Sequence, residues 1–327
     1  MSYTTSASTF AVSVRPSWRT LVTALRGNAL GAFPGEAFKH EVVIHRLLGR
    51  SQFILNRPDT IRHVLAENAA NYVRTAPTIR VLQPIFGRGL FLSTGEEWKH
   101  QRRTVAAAFA PRAIRILSRH VAAARSLVVD LKARGEGPIQ LVPILQRLAL
   151  EIIGSAMFSL EMKKYGPWMR DLILSYAARL GRPTLFDFLL PLEIPSPYDL
   201  ARQRFRKRWI ALIQQIVAER RHNGSENSHR DLFDLLASSY PESTDPALAE
   251  QLADQVATII VAGHETTAAA LFWPLYLIAI TPTEQDAIAD EAPLVDLRTN
   301  RAADAVPQLI RTRAVVDEVL RYTRRLL

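Results

Sequence analysis

The chain contains no cysteine. That single absence excludes disulfides, zinc fingers, iron–sulfur clusters and thiol nucleophiles, because each needs a sulfur supplied by the polypeptide. Other chemistry is missing too. There is no Gly-x-Ser-x-Gly elbow, no phosphate-cradling Walker loop and no dinucleotide glycine fingerprint. A zinc-protease helix needs a second histidine four residues after the first, and His264-Glu265 is followed instead by Thr266-Thr267-Ala268. Internal repeats and low-complexity blocks are absent. The N-terminal MSYTTSASTFAVSVRPSW is polar and lacks the sustained apolar core of a signal peptide.

What is present is a globular composition. Apolar residues make up 48% and charged residues 22% of 327 residues, enough to bury a sizeable core. The net charge of +10 points to anionic partners. The arginines are spread through helical segments without a basic–aromatic motif, which argues against nucleic acid. The densest run, Arg202 to Arg208, contains Phe205 and continues into Trp209. It reads as a solvated helix face whose apolar residues turn inward. The stretch Val256 to Ile280 is long enough to span a bilayer. Its centre, however, holds His264, Glu265, Thr266 and Thr267, where polarity costs most in lipid. A buried central helix, no membrane span and a cytoplasmic location are therefore expected.

Patterning predicts a mainly α fold with a small N-terminal β-sheet. Val42–Leu47 and Gln52–Leu55, split by Gly49-Arg50, read as a hairpin, and Pro58 opens a helix to about Glu67. Thr94 followed by Glu97 predicts a capping box ahead of a helix from Trp98 to about Ala110. Further helices are expected over 113–134, 142–158, 168–180, 198–222 and 231–238, with a proline-rich break over 191–197 and a polar loop over 223–229. The longest helix covers 246–280, with Glu250 and Asp254 suited to its positive end and Pro274 expected to bend it. Two more follow, over 283–292 and from 313 onward. The whole chain reads as one domain, 1–327, with residues 1–40 as a lead-in.

Three constellations carry chemistry. In the long helix, Ala262 and Gly263 are small enough for a flat group to approach the backbone, and Thr266 lies one turn on, on the face of Ala262. Glu265 beside that hydroxyl can relay protons, and is expected to be buried, where desolvation disfavours its charged form. The bland alternative is a helix whose polar residues meet polar core groups. Trp98 and Arg102 are four apart, so an indole N–H and a guanidinium can both donate to a carboxylate of a planar ligand, with Lys99, His100 and Arg103 adding positive charge nearby. The alternative is a core tryptophan beside surface cations. Glu318 and Arg321, three apart, form a common type of helical ion pair.

Taken jointly, Trp-x-x-x-Arg, Ala-Gly-His-Glu-Thr-Thr and Glu-x-x-Arg stand in the order and spacing of the heme-thiolate monooxygenases. The chain resembles the cytochrome P450 family from about Val42 to Arg321. The resemblance implies heme as cofactor, with Trp98 and Arg102 on a propionate. It implies that Ala262 and Gly263 line the oxygen groove, that Glu265 and Thr266 deliver protons, and that Glu318 and Arg321 are structural. Segments 75–89 and 180–197 would build the substrate pocket. The reaction would be O2-dependent hydroxylation of a small organic substrate, with electrons from an acidic ferredoxin- or flavodoxin-type donor.

The departure from the family is equally specific. The iron ligand of that family is a cysteine on a loop after Glu-x-x-Arg, and this sequence has none, so no metal ligand is assigned. The fold is expected to be incomplete at the C-terminus and the chain to be an inactive, truncated product. Its tail, Tyr322 to Leu327, is compatible with a one-nucleotide shift of a family-like Leu-Tyr-Pro-Pro-Ala-Pro continuation, as in a frameshifted pseudogene. The alternative is a non-catalytic remnant that binds heme or a protein partner.

Overall fold

The computed structural model describes residues 11–14, 33, 35–47, 50–109, 131–132, 137–158, 164–222, 232–240, 246–294 and 306–323. The helix expected over 113–134 and the loop over 223–229 lie outside these residues, apart from the helical pair 131–132. The turn at Gly49 is also outside them. The chain divides into two compact units, residues 1–74 and 75–327.

In the first unit, β2 (Val42–Leu47) and β3 (Arg50–Leu55) pair antiparallel, with Val43 opposite Ile54. The β-branched Val42, Val43 and Ile44 suit that pleat, and Val43 is fully buried. A strand that the sequence reading left in the polar lead-in, β1 (Ala11–Val14), joins parallel to β2. Helix α1 (Pro58–Arg62) starts on a proline, which lacks the N–H that a first turn leaves unpaired, and continues as a π-helical turn over His63–Glu67. Asn56 pins the ladder's end, its amide donating to the carbonyls of Ala37 (2.6 Å) and His40 (2.7 Å).

The second unit is helical. Its elements are α2 (Ala76–Phe86), α3 (Gly95–Ala108), α4 (Leu141–Phe158), α5 (Gly166–Arg179), α6 (Leu185–Leu189) and α7 (Asp199–His222). They are followed by α8 (Leu232–Ala237), α9 (Pro246–Ala279), α10 (Pro282–Glu291) and α11 (Ile310–Thr323). Helix α9 is the axis, and its interface with α4 is the largest between helices. Leu252, Ala253, Val256, Ala257 and Ile260 are all buried, and so are the polar Asp254, Gln255 and Thr258 of the same turns. By length and composition α4 and residues 247–279 of α9 could each cross a membrane; here they pack on one another. Pro274 lies inside α9 without ending it.

Helix α7 sorts its residues by period. Phe205, Trp209, Leu212, Ile213 and Ile216 point into the core, and Arg204, Lys207 and Arg208 point out. The inward-turned reading of the basic run holds for those positions but not for Arg202, which is buried. The Trp209 indole donates to the Ile85 carbonyl (3.0 Å) and the Tyr176 hydroxyl to the Val81 carbonyl (2.5 Å), fastening α2 to α7 and α5.

The capping box also differs from expectation. Thr94 is the extended N-cap of α3, yet its side chain makes no cap hydrogen bond. The Glu97 carboxylate is engaged by Gln101 (3.4 Å) and Arg88 (3.5 Å) instead. A capping box does form at α6, where the Thr184 backbone N–H and hydroxyl both donate to Asp187 (2.7 and 2.9 Å).

The loop from Gly87 to Ser93 is stitched to the start of α9. The Arg88 N–H donates to Asp254 (2.8 Å), the Leu90 N–H to Gln255 (3.2 Å), and the Gln101 amide to the Arg88 carbonyl (2.9 Å). Gly87 turns this loop at φ 54°, ψ −130°, and a Cβ there would lie 2.1 Å from the Asp254 carboxylate. Gly87→Ala is therefore expected to cost at least about 2 kcal/mol from backbone strain and the clash together. A denaturant melt of the variant that overlays the parent's would show that the loop relaxes without cost.

Candidate functional site

Helix α9 carries the site because one stripe of it is left open. Over residues 252–260 the helix is buried nearly all round. From Ala262 onward, Ala262, Glu265, Thr266 and Ala269 are exposed, at the i, i+3, i+4, i+7 spacing of one helical face. The stripe is ~10 Å long at the rise of an α-helix. The Thr266 hydroxyl donates to the Ala262 carbonyl one turn back, so its proton is engaged and its lone pairs remain available. Glu265 is exposed rather than buried, because it lies on this open face.

The flanking residues face elsewhere. A Cβ on Gly263 would lie 2.7 Å from the Ile153 side chain of α4. The smallness of Gly263 thus serves the close approach of α9 to α4, while Ala262 lies on the open face. His264 is 1% exposed, and neither ring nitrogen has a hydrogen-bond partner of good geometry. Burial lowers its pKa and Arg170 lowers it further, while the neighbouring charge of Glu265 and the backbone of Gln146 oppose the shift. It lies on the buried back of the helix, without the polar core partner that the bland reading of the motif supposes.

Trp98 and Arg102 lie one turn apart on α3, and both are exposed; Trp98 is 42% exposed, which removes the core-tryptophan alternative. Their side chains make no hydrogen bond or ion pair among the described residues, so an indole N–H and a guanidinium are free to donate. Nothing bonds them directly to the open stripe. They are placed relative to it through Gln101, Arg88 and Asp254. Lys99 is paired with Glu96 (2.7 Å), while Arg103 reaches the Lys99 carbonyl (3.4 Å).

Glu318 and Arg321 pair with each other on the outer face of α11. Arg321 Nε donates to Glu318 Oε2 at 2.7 Å, and a second bond makes the pair bidentate. The Glu318 carboxylate raises the Arg321 pKa by hydrogen bond and charge. Val319, between them, is the buried residue that packs α11 onto α9. The start of α11 is capped from α10, where Glu291 accepts the backbone N–H groups of Arg311 (2.6 Å) and Thr312 (2.9 Å).

The two segments expected to build a pocket do meet. Arg80 on α2 donates to the carbonyls of Pro191 (2.5 Å) and Ile194 (2.6 Å) and pairs with Asp199. Neither Arg80 nor the open position of Ala269 was singled out from sequence. Ala269 was readable from helical period; Arg80 was not, because its partners lie more than 100 residues away.

A family model described as Cytochrome P450 matches residues 36–326. Cytochrome P450 97B2 (chloroplastic) of Glycine max is 27% identical over 314 residues, covering 86% of this chain and 54% of its own. Cyclooctatin synthase of Streptomyces melanosporofaciens is 28% identical over 290 residues, covering 86% and 61%. The crystal structure of the cytochrome P450DA heme domain superposes with a TM-score of 0.72 at 21% identity, over 95% of this chain and 69% of that one. The chain spans about half the length of the curated relatives it matches.

Proposed function

Because the chain belongs to the cytochrome P450 family, we propose that its open α9 stripe and the α3 donors form the oxygen side and carboxylate edge of a heme site for hydroxylating a small organic substrate. The observation that carries this is the exposure of Ala262, Glu265, Thr266 and Ala269 together, directly after the stretch 252–260 that is buried nearly all round. Small side chains there admit a flat group. Trp98 and Arg102 supply two free donors of the kind that hold a carboxylate.

The residues fit the rim of a heme and do not fit its iron. No cysteine exists anywhere in the 327 residues, so none of them is the thiolate on which the family's chemistry depends. Heme held by thiolate supplies oxygen activation in this family. What this chain's own side chains offer is narrower. Thr266 presents an oriented hydroxyl oxygen, and Glu265 a solvent-facing carboxylate able to hold or release a proton beside it. The Arg80 contacts to Pro191 and Ile194 close segments 75–89 and 180–197 over one another where a substrate wall is expected. By family, electrons come from a separate protein, and the exposed Arg103 suits an acidic one. The cysteine-free sequence favours a second reading, in which these 327 residues bind heme or a partner without catalysis.

Hemin titration followed by absorbance tests the rim. Arg102→Leu is expected to weaken binding on the order of tenfold, as for losing one charge-assisted hydrogen bond, and Trp98→Phe to weaken it less. Equal affinities for parent and both variants would remove α3 from the site.

A further inference from the structure

Helix α3 carries two outward donors but is anchored by few residues of its own. Among its described residues only Gln101 and Val105 are buried, one turn apart on one face. Trp98 and Arg102 stand on either side of Gln101, at about 60° and about 100° around the helix. A roll of α3 about its axis therefore re-aims both donors at once. The apolar hold of Val105 alone is non-directional and sets no such angle.

What sets the angle is a polar chain that leaves the helix. The Gln101 amide donates to the Arg88 carbonyl (2.9 Å), and the Arg88 N–H donates to the Asp254 carboxylate (2.8 Å) on α9. Two residues on, the Leu90 N–H donates to Gln255 (3.2 Å). Arg88 stands between two glycines because the loop lies directly on α9. A Cβ on Gly89 would lie 2.3 Å from the Thr258 hydroxyl, as one on Gly87 would meet Asp254. Asp254 is itself immobilised. It is 1% exposed, and Arg206 of α7 donates to it from the other side at 3.0 and 3.3 Å. The Thr258 hydroxyl donates to the Asp254 carbonyl (2.7 Å). Bonds to an ionised carboxylate are the stronger and more directional kind.

Asp254 precedes Ala262 by ~12 Å along the axis of α9, so it shares a rigid helix with the open stripe. We infer that Asp254, reaching α3 through Arg88 and Gln101, is the positioning residue that holds Trp98 and Arg102 at a fixed distance and angle from that stripe. This rests on the reading of stripe and donors as two edges of one heme site. Asp254 and Gln101 act through the aim of α3. Their loss therefore weakens the grip on a carboxylate-bearing planar ligand only while there are donors to aim.

A double-mutant cycle read by hemin titration of the 327-residue chain tests this. Gln101→Leu keeps a side chain of similar size and removes the bond to Arg88. It is expected to weaken hemin binding on the order of fivefold in the parent. In Trp98→Phe/Arg102→Leu, where the donors are already gone, it should cost less than about twofold. A loss of general structure would weaken both backgrounds alike. Asp254→Leu should follow the same pattern, and Asp254→Asn, which keeps an acceptor for the Arg88 N–H, should recover most of the loss. Hydrogen exchange reads the cause without hemin: α3 amides in Gln101→Leu should exchange on the order of tenfold faster, with α7 amides at the parent rate. Circular dichroism checks folding, and should Asp254→Leu misfold, Gln101→Leu carries the test alone. If the donor variant weakens hemin binding but Gln101→Leu does not, or does so equally in both backgrounds, the positioning role is overturned and the rim stands. If the donor variant binds hemin as the parent does, the rim falls and this inference falls with it.

Discussion

Arg202→Ala is expected to destabilise the helical unit by about 3–5 kcal/mol, the cost of stranding a buried charge. Arg202 is 1% exposed and bridges Asp187 bidentately, with a third contact to Asp199 at 3.3 Å. Its remaining donors reach the carbonyls of Arg182 (3.3 Å) and Leu180 (3.4 Å). Removing the guanidinium leaves Asp187 fully buried without its cation, while Asp199 keeps Arg80. The measurement is a denaturant melt of the parent, the single variant and Asp187→Asn/Arg202→Met. The double variant should recover much of the loss, because a buried pair replaced as a unit is often nearly neutral. A single variant within 1 kcal/mol of the parent, roughly the range of a surface change, would show that water enters and solvates Asp187.

The same pair fixes an acid limit. Burial alone pushes the Asp187 carboxyl up, but the hydrogen bonds from Arg202 and Thr184, with the Arg202 charge, bring it down to about 2 from 3.8. A folded pKa below the unfolded one adds stability that is fully present above about pH 4. That contribution, about 2 kcal/mol, is lost as pH falls through 2. In Asp187→Asn/Arg202→Met this part of the acid slope should vanish.

How much of this was legible in sequence follows from the range of each interaction. Helix α9 and its motif were readable because a 3.6-residue period and four polar residues in an apolar run are local facts. The bounds of α4, α5, α7 and α10 lie within a few residues of expectation for the same reason. Strand β1 was missed because its parallel pairing with β2 spans about thirty residues and its own four residues carry little pattern. Helices α2 and α6 fell inside the segments expected only to build the pocket. Their stability comes from Tyr176, Trp209 and Arg202, which are distant in the chain. At the site, face assignments inside the motif went astray where they depended on the neighbour: Gly263 meets Ile153 of α4, and Glu265 lies on the open side. A helix period gives relative angles between residues, but which angle is buried is decided by what packs there.

The 327-residue polypeptide, given hemin and reduced under carbon monoxide, is expected to lack the red-shifted Soret band of a thiolate-bound carbonyl complex and to show no hydroxylation turnover. The ground is chemical. A thiolate pushes electron density onto the iron, and that push is what favours oxygen–oxygen cleavage. Thiolates come from cysteine, and the chain has none. His264, the histidine nearest the open stripe in sequence, is 1% exposed at the back of α9 and cannot reach a group lying on Ala262 and Thr266. A methionine thioether is neutral and gives no such push. Reduction must use dithionite rather than a thiol, so that no added sulfur ligand mimics the signal. A red-shifted band or turnover under those conditions would break the link between this family's chemistry and a thiolate from the same chain. The expected result, with Arg102→Leu still weakening hemin binding, separates heme binding at the rim from a thiolate that these 327 residues do not supply. A rim that answers to mutation beside an iron that gives no thiolate signal means that the carboxylate edge on α3 holds heme in a polypeptide whose own residues supply no thiolate.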